Sequence, residues 1–375
     1  MTGPAKLGLT QQGLDVLSTL GIARAPGDLE ARGLPAEVIA VLQAHGLLEE
    51  QDDTHPPLIS QDIYAGWKSQ RGMLIDHTRT RAFDAAIRAA VAPGDRVVDV
   101  GTGSGILAMM AARAGAATSY GLEVTQMADW AARLARENGL DAVQIVRGDA
   151  GRFDPGAPVD VVMGEFQGMF LIEEWQHYAA FVRVRDRCLK PEGRVVPRAA
   201  KLFLSAIDDR KLYRDRGYGF WEEPVYGFDF SSVRDGDIGH PRRYITTADA
   251  RSIVAEREVA AFDFRTGSER DYLFDTELTY HYAAAGNFHG LIGYFDLDMG
   301  NGQTLSTSCF ARETHWHQSY FPIPAIQVPA GGAVAVRVRT FLTESDELRM
   351  GLTVAGPGER LDDGAARPEH VYGFS

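Results

Sequence analysis

From Arg96 onward, short apolar runs alternate with amphipathic segments. The runs "RVVDVG", "TSYGLEV", "AVQIVRGD", "VDVVMGE" and "GRVVP" have the texture of buried strands, and between them "ILAMMAARAG" and "MADWAARLARENG" place apolar residues at helical spacing. Strands alternating with helices predict βαβ units and a parallel sheet, a doubly wound α/β architecture that binds a ligand at the carboxyl ends of its strands. Past Pro197 the rhythm changes. "KLFLSAI", "GLIGYFDLDM", "FPIPAIQV" and "AVAVRVRTFL" read as strands without long helices between them, so the C-terminal half is predicted to be mostly β. Ahead of both, leucines and valines recur at helical spacing from Leu14 to Leu48, broken by "APGD" and "RGLP", which predicts a small helical unit. The acidic, proline-containing stretch Glu49–Asp62 reads as a linker. The predicted organisation is a helical unit over 1–52, a nucleotide-binding domain over 53–197 and a β domain over 198–375.

Charge narrows the partners. A formal net charge of -13 over 375 residues disfavours phosphate backbones and anionic lipid while leaving attraction for cationic substrates open, so neither nucleic acid nor membrane is expected. Cys188 and Cys309 lie far apart and outside any CxxC pair, and are expected to be buried thiols, neither bridged nor metal-bound. The start of the chain carries no long apolar segment, nor does any stretch reach the apolar length of a membrane span, so a cytoplasmic location is expected.

Candidate chemistry begins in "VVDVGTGSGIL". Gly101, Gly103 and Gly105 follow the first strand of the alternating region, where the backbone must turn tightly and let a ligand approach. A dinucleotide fingerprint needs a glycine where Ile106 stands, and a P-loop needs a GK[ST] that is absent, although a nicotinamide enzyme remains an alternative. Further acids fall at strand ends: Asp99 before the glycines, Glu123 suited to ribose hydroxyls, and Asp149, with Ala150 beside it, suited to an adenine amino group. Together they resemble the S-adenosylmethionine (AdoMet) site of class I methyltransferases.

The stretch "GEFQGMFLIEEW", Gly164–Trp175, sets acids in an otherwise apolar loop after the fourth strand. Glu165 and Glu174 are nine residues apart, and a loop folding back on itself would bring both carboxylates to one planar cation. A guanidinium suits them, because its fork of donors matches carboxylates bidentately and is weakly hydrated. Such carboxylates would hold one terminal nitrogen in line with a methyl donor and stabilise the developing charge. Glu173 is expected only to cap the following helix. The alternatives are a methyltransferase of another cationic or amine acceptor, and an AdoMet-binding scaffold without turnover.

These residues are similar to the protein arginine methyltransferase family, from about Ser60 to the C-terminus. "GEFQGMFLIEE" resembles the family's double-glutamate loop, with Glu165 and Glu174 in its acid positions, and Thr314, His315 and Trp316 resemble its THW loop. "DIYAGWKSQRGMLIDHTRTRAF" resembles the helix folded over the cofactor. The resemblance implies an AdoMet-dependent arginine N-methyltransferase in which Arg79 pairs with the AdoMet carboxylate, Gln70 stands at the cofactor, and Tyr64 and Met73 line the transfer site. It also implies that Asp76 pairs with His315, that Phe166, Gln167 and Trp316 surround the substrate, and that a head-to-tail homodimer forms through an arm at about 209–230. A histidine oriented by an aspartate can relay a proton. His317 with His315 lacks a third ligand, so no metal is expected. Phe166, Gln167 and Gln176 depart from the family pattern around the substrate, and no separate protein-binding module is evident beyond the helical unit. The departures fit either a pocket reshaped for a free guanidine metabolite or a change in the number of methyl groups added, and the small size with no separate module favours free arginine or a metabolite precursor over protein arginine as the acceptor.

Overall fold

The computed structural model describes Lys6–Leu9, Leu48–Gln51, Tyr64–Ile238 and Arg243–Phe374. The chain divides into two units, Met1–Gly66 and Trp67–Ser375. In the first, strands β1 (Lys6–Leu9) and β2 (Leu48–Gln51) pair antiparallel, with Leu9 opposite Leu48. The helices expected here fall on residues 10–47, outside the described residues. Glu49–Gln51, expected as the start of a linker, instead belong to β2.

The second unit opens with helices α1 (Trp67–Ile75) and α2 (His77–Ala90). Five strands follow: β3 (Arg96–Val100), β4 (Thr118–Glu123), β5 (Val143–Arg147), β6 (Val159–Gly164) and β7 (Leu189–Val196). They form one sheet in the order β5-β4-β3-β6-β7, and every neighbouring pair runs parallel. Between them lie α3 (Ile106–Ala114), α4 (Met127–Glu137) and α5 (Trp175–Cys188). β3 and β6 are buried almost throughout, as expected when helices cover both faces of a parallel sheet. Strand order reverses between β3 and β6, so the crevice at this switch point receives the glycine loop from one strand and the acidic loop from the other.

Beyond Val196 the pairing becomes antiparallel. One sheet joins β8 (Ala199–Ile207), β9 (Tyr244–Thr246), β10 (Ile253–Asp263), β12 (Gly286–Asp298), β13 (Thr304–Ser306) and β14 (Gln318–Val328), and a second joins β11 (Asp275–His281), β15 (Ala333–Leu342), β16 (Leu348–Ala355) and β17 (Glu369–Gly373). The α/β and β layers share one hydrophobic core. Phe166, Phe170, Tyr178 and Phe181 from the acidic loop and α5 pack with Phe264, Tyr272 and Phe321 of the β layer. Between β8 and β9 a segment containing α6 (Arg210–Arg216) and α7 (Ser231–Ile238) leaves the sheet, and its tip exposes Tyr226 at 97% and Phe228 at 70%. Among the described residues no helix is long and apolar enough to cross a membrane.

Candidate active site

The glycine loop turns sharply because all three of its glycines take left-handed backbone angles, φ 73° at Gly101, 53° at Gly103 and 82° at Gly105. Gly103 is doubly constrained, since a Cβ there would stand 2.8 Å from Gln70 Oε1. Gln70, buried on α1, accepts a hydrogen bond from Ser104 N at 3.0 Å and so lies against the loop. Glu123, the last residue of β4, accepts from Gly103 N and Thr125 N, both at 2.8 Å. Asp149 is exposed past the end of β5, where it accepts from Gly151 N at 2.7 Å and caps a short turn that begins at Ala150.

Asp99 is wholly buried; its Oδ2 accepts from Thr102 Oγ1 at 2.5 Å, which braces the loop from beneath, and its Oδ1 has no partner among the described residues. Burial pushes its pKa up to about 7 against the Thr102 hydrogen bond.

Arg79 is buried on α2, and its Nη2 donates to Glu165 Oε2 at 2.6 Å. Its Nε and Nη1 have no hydrogen-bond partner among the described residues, a costly state for a buried guanidinium and a natural place for an anion. Asp76 caps α2 by accepting from Arg79 N at 2.9 Å. The same carboxylate accepts from His315 N at 2.8 Å, and His315 Nδ1 lies 2.9 Å from its Oδ2. Burial pushes the Asp76 pKa up, yet the hydrogen bonds from His315 and the Arg79 amide outweigh it and hold the carboxyl below its ordinary range. Trp316, fully buried, donates from Nε1 to Gln167 O at 2.8 Å and thereby pins the acidic loop.

Each glutamate in that loop has its own cationic or imidazole partner. Glu165 meets Arg79, and Glu174 Oε2 lies 2.6 Å from His177 Nδ1, one turn along α5. The expected role of Glu173 is overturned. Instead of capping α5, its buried carboxylate accepts from Met169 N and pairs with Arg243, just ahead of β9. Burial pushes its pKa up to about 7, with Arg243 and the Met169 amide opposing. A side chain at Gly168 would run into Glu173, which explains the glycine at the turn.

Phe166, expected beside the substrate, is a core residue: its ring packs on Phe181 at 4.7 Å, Phe264 at 5.1 Å and Tyr178 at 5.4 Å. Gln167 is 4% exposed, and neither amide atom has a partner among the described residues. Met73 is half-buried on α1, and Tyr64 belongs to the N-terminal unit. Sequence reasoning passed over Arg243 and His177. The second carried a signal, the i,i+3 spacing from Glu174 at a helix start.

The family model described as the arginine methyltransferase oligomerization subdomain matches residues 198–350, and that of ribosomal protein L11 methyltransferase matches residues 76–182. Protein arginine N-methyltransferase 1 of Schizosaccharomyces pombe is 32% identical over 271 residues, which cover 69% of this chain and 77% of that relative. The chain belongs to the protein arginine N-methyltransferase family. A second arginine methyltransferase, protein arginine N-methyltransferase 1.1 of Arabidopsis thaliana, is 32% identical over 279 residues, covering 72% of this chain and 70% of its own. The fold also matches solved arginine methyltransferases. The Trypanosoma brucei PRMT1 enzyme-prozyme heterotetrameric complex with AdoHcy superposes with a TM-score of 0.73 at 24% identity, covering 82% of this chain and 98% of that one. Protein arginine methyltransferase 10 of Arabidopsis thaliana gives 0.69 at 24% identity, over 84% and 99% of the two chains. The present protein is accordingly an AdoMet-dependent arginine N-methyltransferase.

Proposed function

We propose that this enzyme methylates a terminal guanidino nitrogen of arginine held in a basic peptide or protein segment, with Glu165 and Glu174 as the acceptor-binding carboxylates. One observation carries the assignment: Glu165 already accepts a 2.6 Å hydrogen bond from a guanidinium, that of Arg79, in a buried setting. The relatives named above are protein arginine methyltransferases, and a chain with a net charge of -13 attracts basic segments electrostatically.

The residues present fit AdoMet. Arg79 has two buried donors open to a carboxylate, the glycine loop leaves room for close backbone approach at Gly101, and Glu123 and Asp149 stand at adjoining strand ends. When bound, AdoMet supplies an electrophilic methyl on a sulfonium. Everything else falls to the chain. Glu165 and Glu174 orient the guanidinium and draw its positive charge toward the nitrogens they face, leaving electron density on the one to be methylated. The Asp76–His315 pair stands ready to accept the proton released from that nitrogen.

A second reading, free arginine or a related metabolite as acceptor, is favoured by Gln167, whose buried amide, without a partner among the described residues, stands where the family resemblance has an apolar residue. Parallel incubation with methyl-labelled AdoMet and either free L-arginine or an arginine-rich peptide separates the two. Label on the peptide, lost in Glu165→Gln and Glu174→Gln, is the expected result. Label on free arginine alone would establish the second reading, and label persisting in both variants would remove the glutamates from acceptor binding.

The exposed aromatic tip of the segment between β8 and β9 supports a head-to-tail homodimer in which Tyr226 and Phe228 insert against the partner.

A further inference from the structure

The second acceptor-binding carboxylate is not presented alone. His177 lies one helical turn beyond Glu174 on α5, its Nδ1 2.6 Å from Glu174 Oε2, with both side chains largely shielded, 30% and 16% exposed. At this range the contact is a charge-assisted hydrogen bond, and a rigid helix sets its geometry. Glu174 closes the short turn Ile172–Glu174 that follows Gly168–Leu171, and the contact with His177 ties its carboxylate to the first turn of α5.

We propose that His177 is a positioning residue for arginine methylation, fixing Glu174 through Nδ1 and gating acceptor binding by its own charge. The inference rests on the assignment of Glu174 to acceptor binding made above. Neutral His177 donates from Nδ1 and leaves the full negative charge on Glu174, aimed and available to a guanidinium. Protonated His177 makes the same contact but cancels that charge, and the incoming cation then meets a weaker anion. The charge count is small enough for one proton to decide it. Glu165, Glu174, Arg79 and His177 together carry one net negative charge when His177 is neutral and none when it is protonated.

The charged groups facing His177 are Glu174 at the start of its own helix, Glu165 at the end of β6 with Arg79 upon it, and Glu123 at the end of β4. Burial lowers the histidine pKa, but the hydrogen bond and the charge of Glu174, then those of Glu165 and Glu123, raise it further, so it stands above the ordinary 6.5. The sign follows. As pH rises through that midpoint the imidazolium loses its proton, Glu174 regains its charge, and acceptor affinity increases.

The test compares the parent enzyme with His177→Gln, which keeps a donor but cannot titrate, and His177→Leu, which keeps neither. Acceptor KM, kcat and AdoMet Kd are measured from pH 5.5 to 9. The parent is expected to show acceptor KM falling several-fold as pH rises, with AdoMet Kd unchanged. His177→Gln should flatten that step, and His177→Leu should raise acceptor KM roughly tenfold at every pH, as expected for losing a hydrogen bond to a charged group, with a smaller change in kcat. A His177→Gln profile that still falls with the parent's midpoint, or a His177→Leu enzyme with the parent's KM, overturns the inference while leaving the function in place. A parent that methylates no arginine acceptor overturns the proposed function, and this inference with it.

Discussion

Replacing Arg243 by Met should destabilise the protein in a way that depends strongly on pH. The Arg243 side chain is 14% exposed and that of its partner Glu173 is 7% exposed, so the substitution strands a buried carboxylate in the middle of the acidic loop. Breaking a buried pair by removing one member costs about 3–5 kcal/mol when the remaining charge has no escape. Glu173 has an escape in protonation. Its pKa already stands at about 7, raised from 4.5 chiefly by burial, and Arg243 is the largest influence opposing that rise.

Because the folded-state value exceeds the unfolded one, folding takes up a proton between pH 4.5 and about 7. The stability contributed by protonated Glu173 is fully present below that window and lost across it, a total of about 3 kcal/mol at about 1.4 kcal/mol per pH unit. Without Arg243 the upper edge of the window moves to higher pH. At pH 6 both proteins hold a neutral Glu173, and the variant should lose only about 1 kcal/mol of hydrogen bonding and packing. At pH 9 the loss should approach about 3–5 kcal/mol. Urea unfolding at the two pH values measures the difference, and the double variant Arg243→Met/Glu173→Gln should recover most of the loss at pH 9. Equal losses at pH 6 and pH 9, or a double variant no more stable than the single one, would refute the reasoning.

The glycine loop offers a cleaner separation of binding from stability. Gly103→Ala places a Cβ 2.8 Å from Gln70 Oε1 at φ 53° and should abolish AdoMet binding by calorimetry, whereas Gly139→Ala, at φ 65° with open space around it, should cost about 1–2 kcal/mol of stability and leave AdoMet Kd unchanged. Loss of binding in both would implicate general destabilisation. At the exposed arm, Tyr226→Ser with Phe228→Ser should shift sedimentation from dimer toward monomer at micromolar concentration, and an unchanged dimer would remove the arm from the interface.

Much of this architecture was readable because its signals are local. The alternation of apolar runs with helical spacing from Arg96 to Val196 comes out as a parallel sheet, and the glycine spacing marks a turn whose three positive φ values only glycine adopts without strain. The packing of Phe166 was not legible because sequence adjacency to Glu165 says nothing about direction, and past the end of a strand successive side chains point to opposite sides. Its ring joins Phe181 and Phe264 while its neighbour's carboxylate turns to Arg79. The surroundings of Asp99 were likewise hidden: its place before the glycines shows neither its burial nor its hydrogen bond from Thr102.

The acids at 165, 173 and 174 pose one electrostatic problem with three local solutions. Carboxylates in an apolar loop repel one another and resist desolvation, so each requires a partner. Each takes it from a different part of the chain: Arg79 from the helix preceding the first parallel strand, Arg243 from the approach to the β sheet, and His177 from the helix that the loop itself begins. The sequence spacing exposes only the last, since the other two partners are 86 and 70 residues away from their glutamates. The partners also divide the labour. A permanently charged, buried guanidinium on Glu173 suits a carboxylate that anchors the loop, whereas Glu174 is matched with a histidine, a cation only while protonated. Of the two glutamates assigned to the acceptor, Glu165 keeps a guanidinium whose charge no accessible pH removes and Glu174 a histidine whose charge pH does change, so it is through Glu174 that pH acts on acceptor binding.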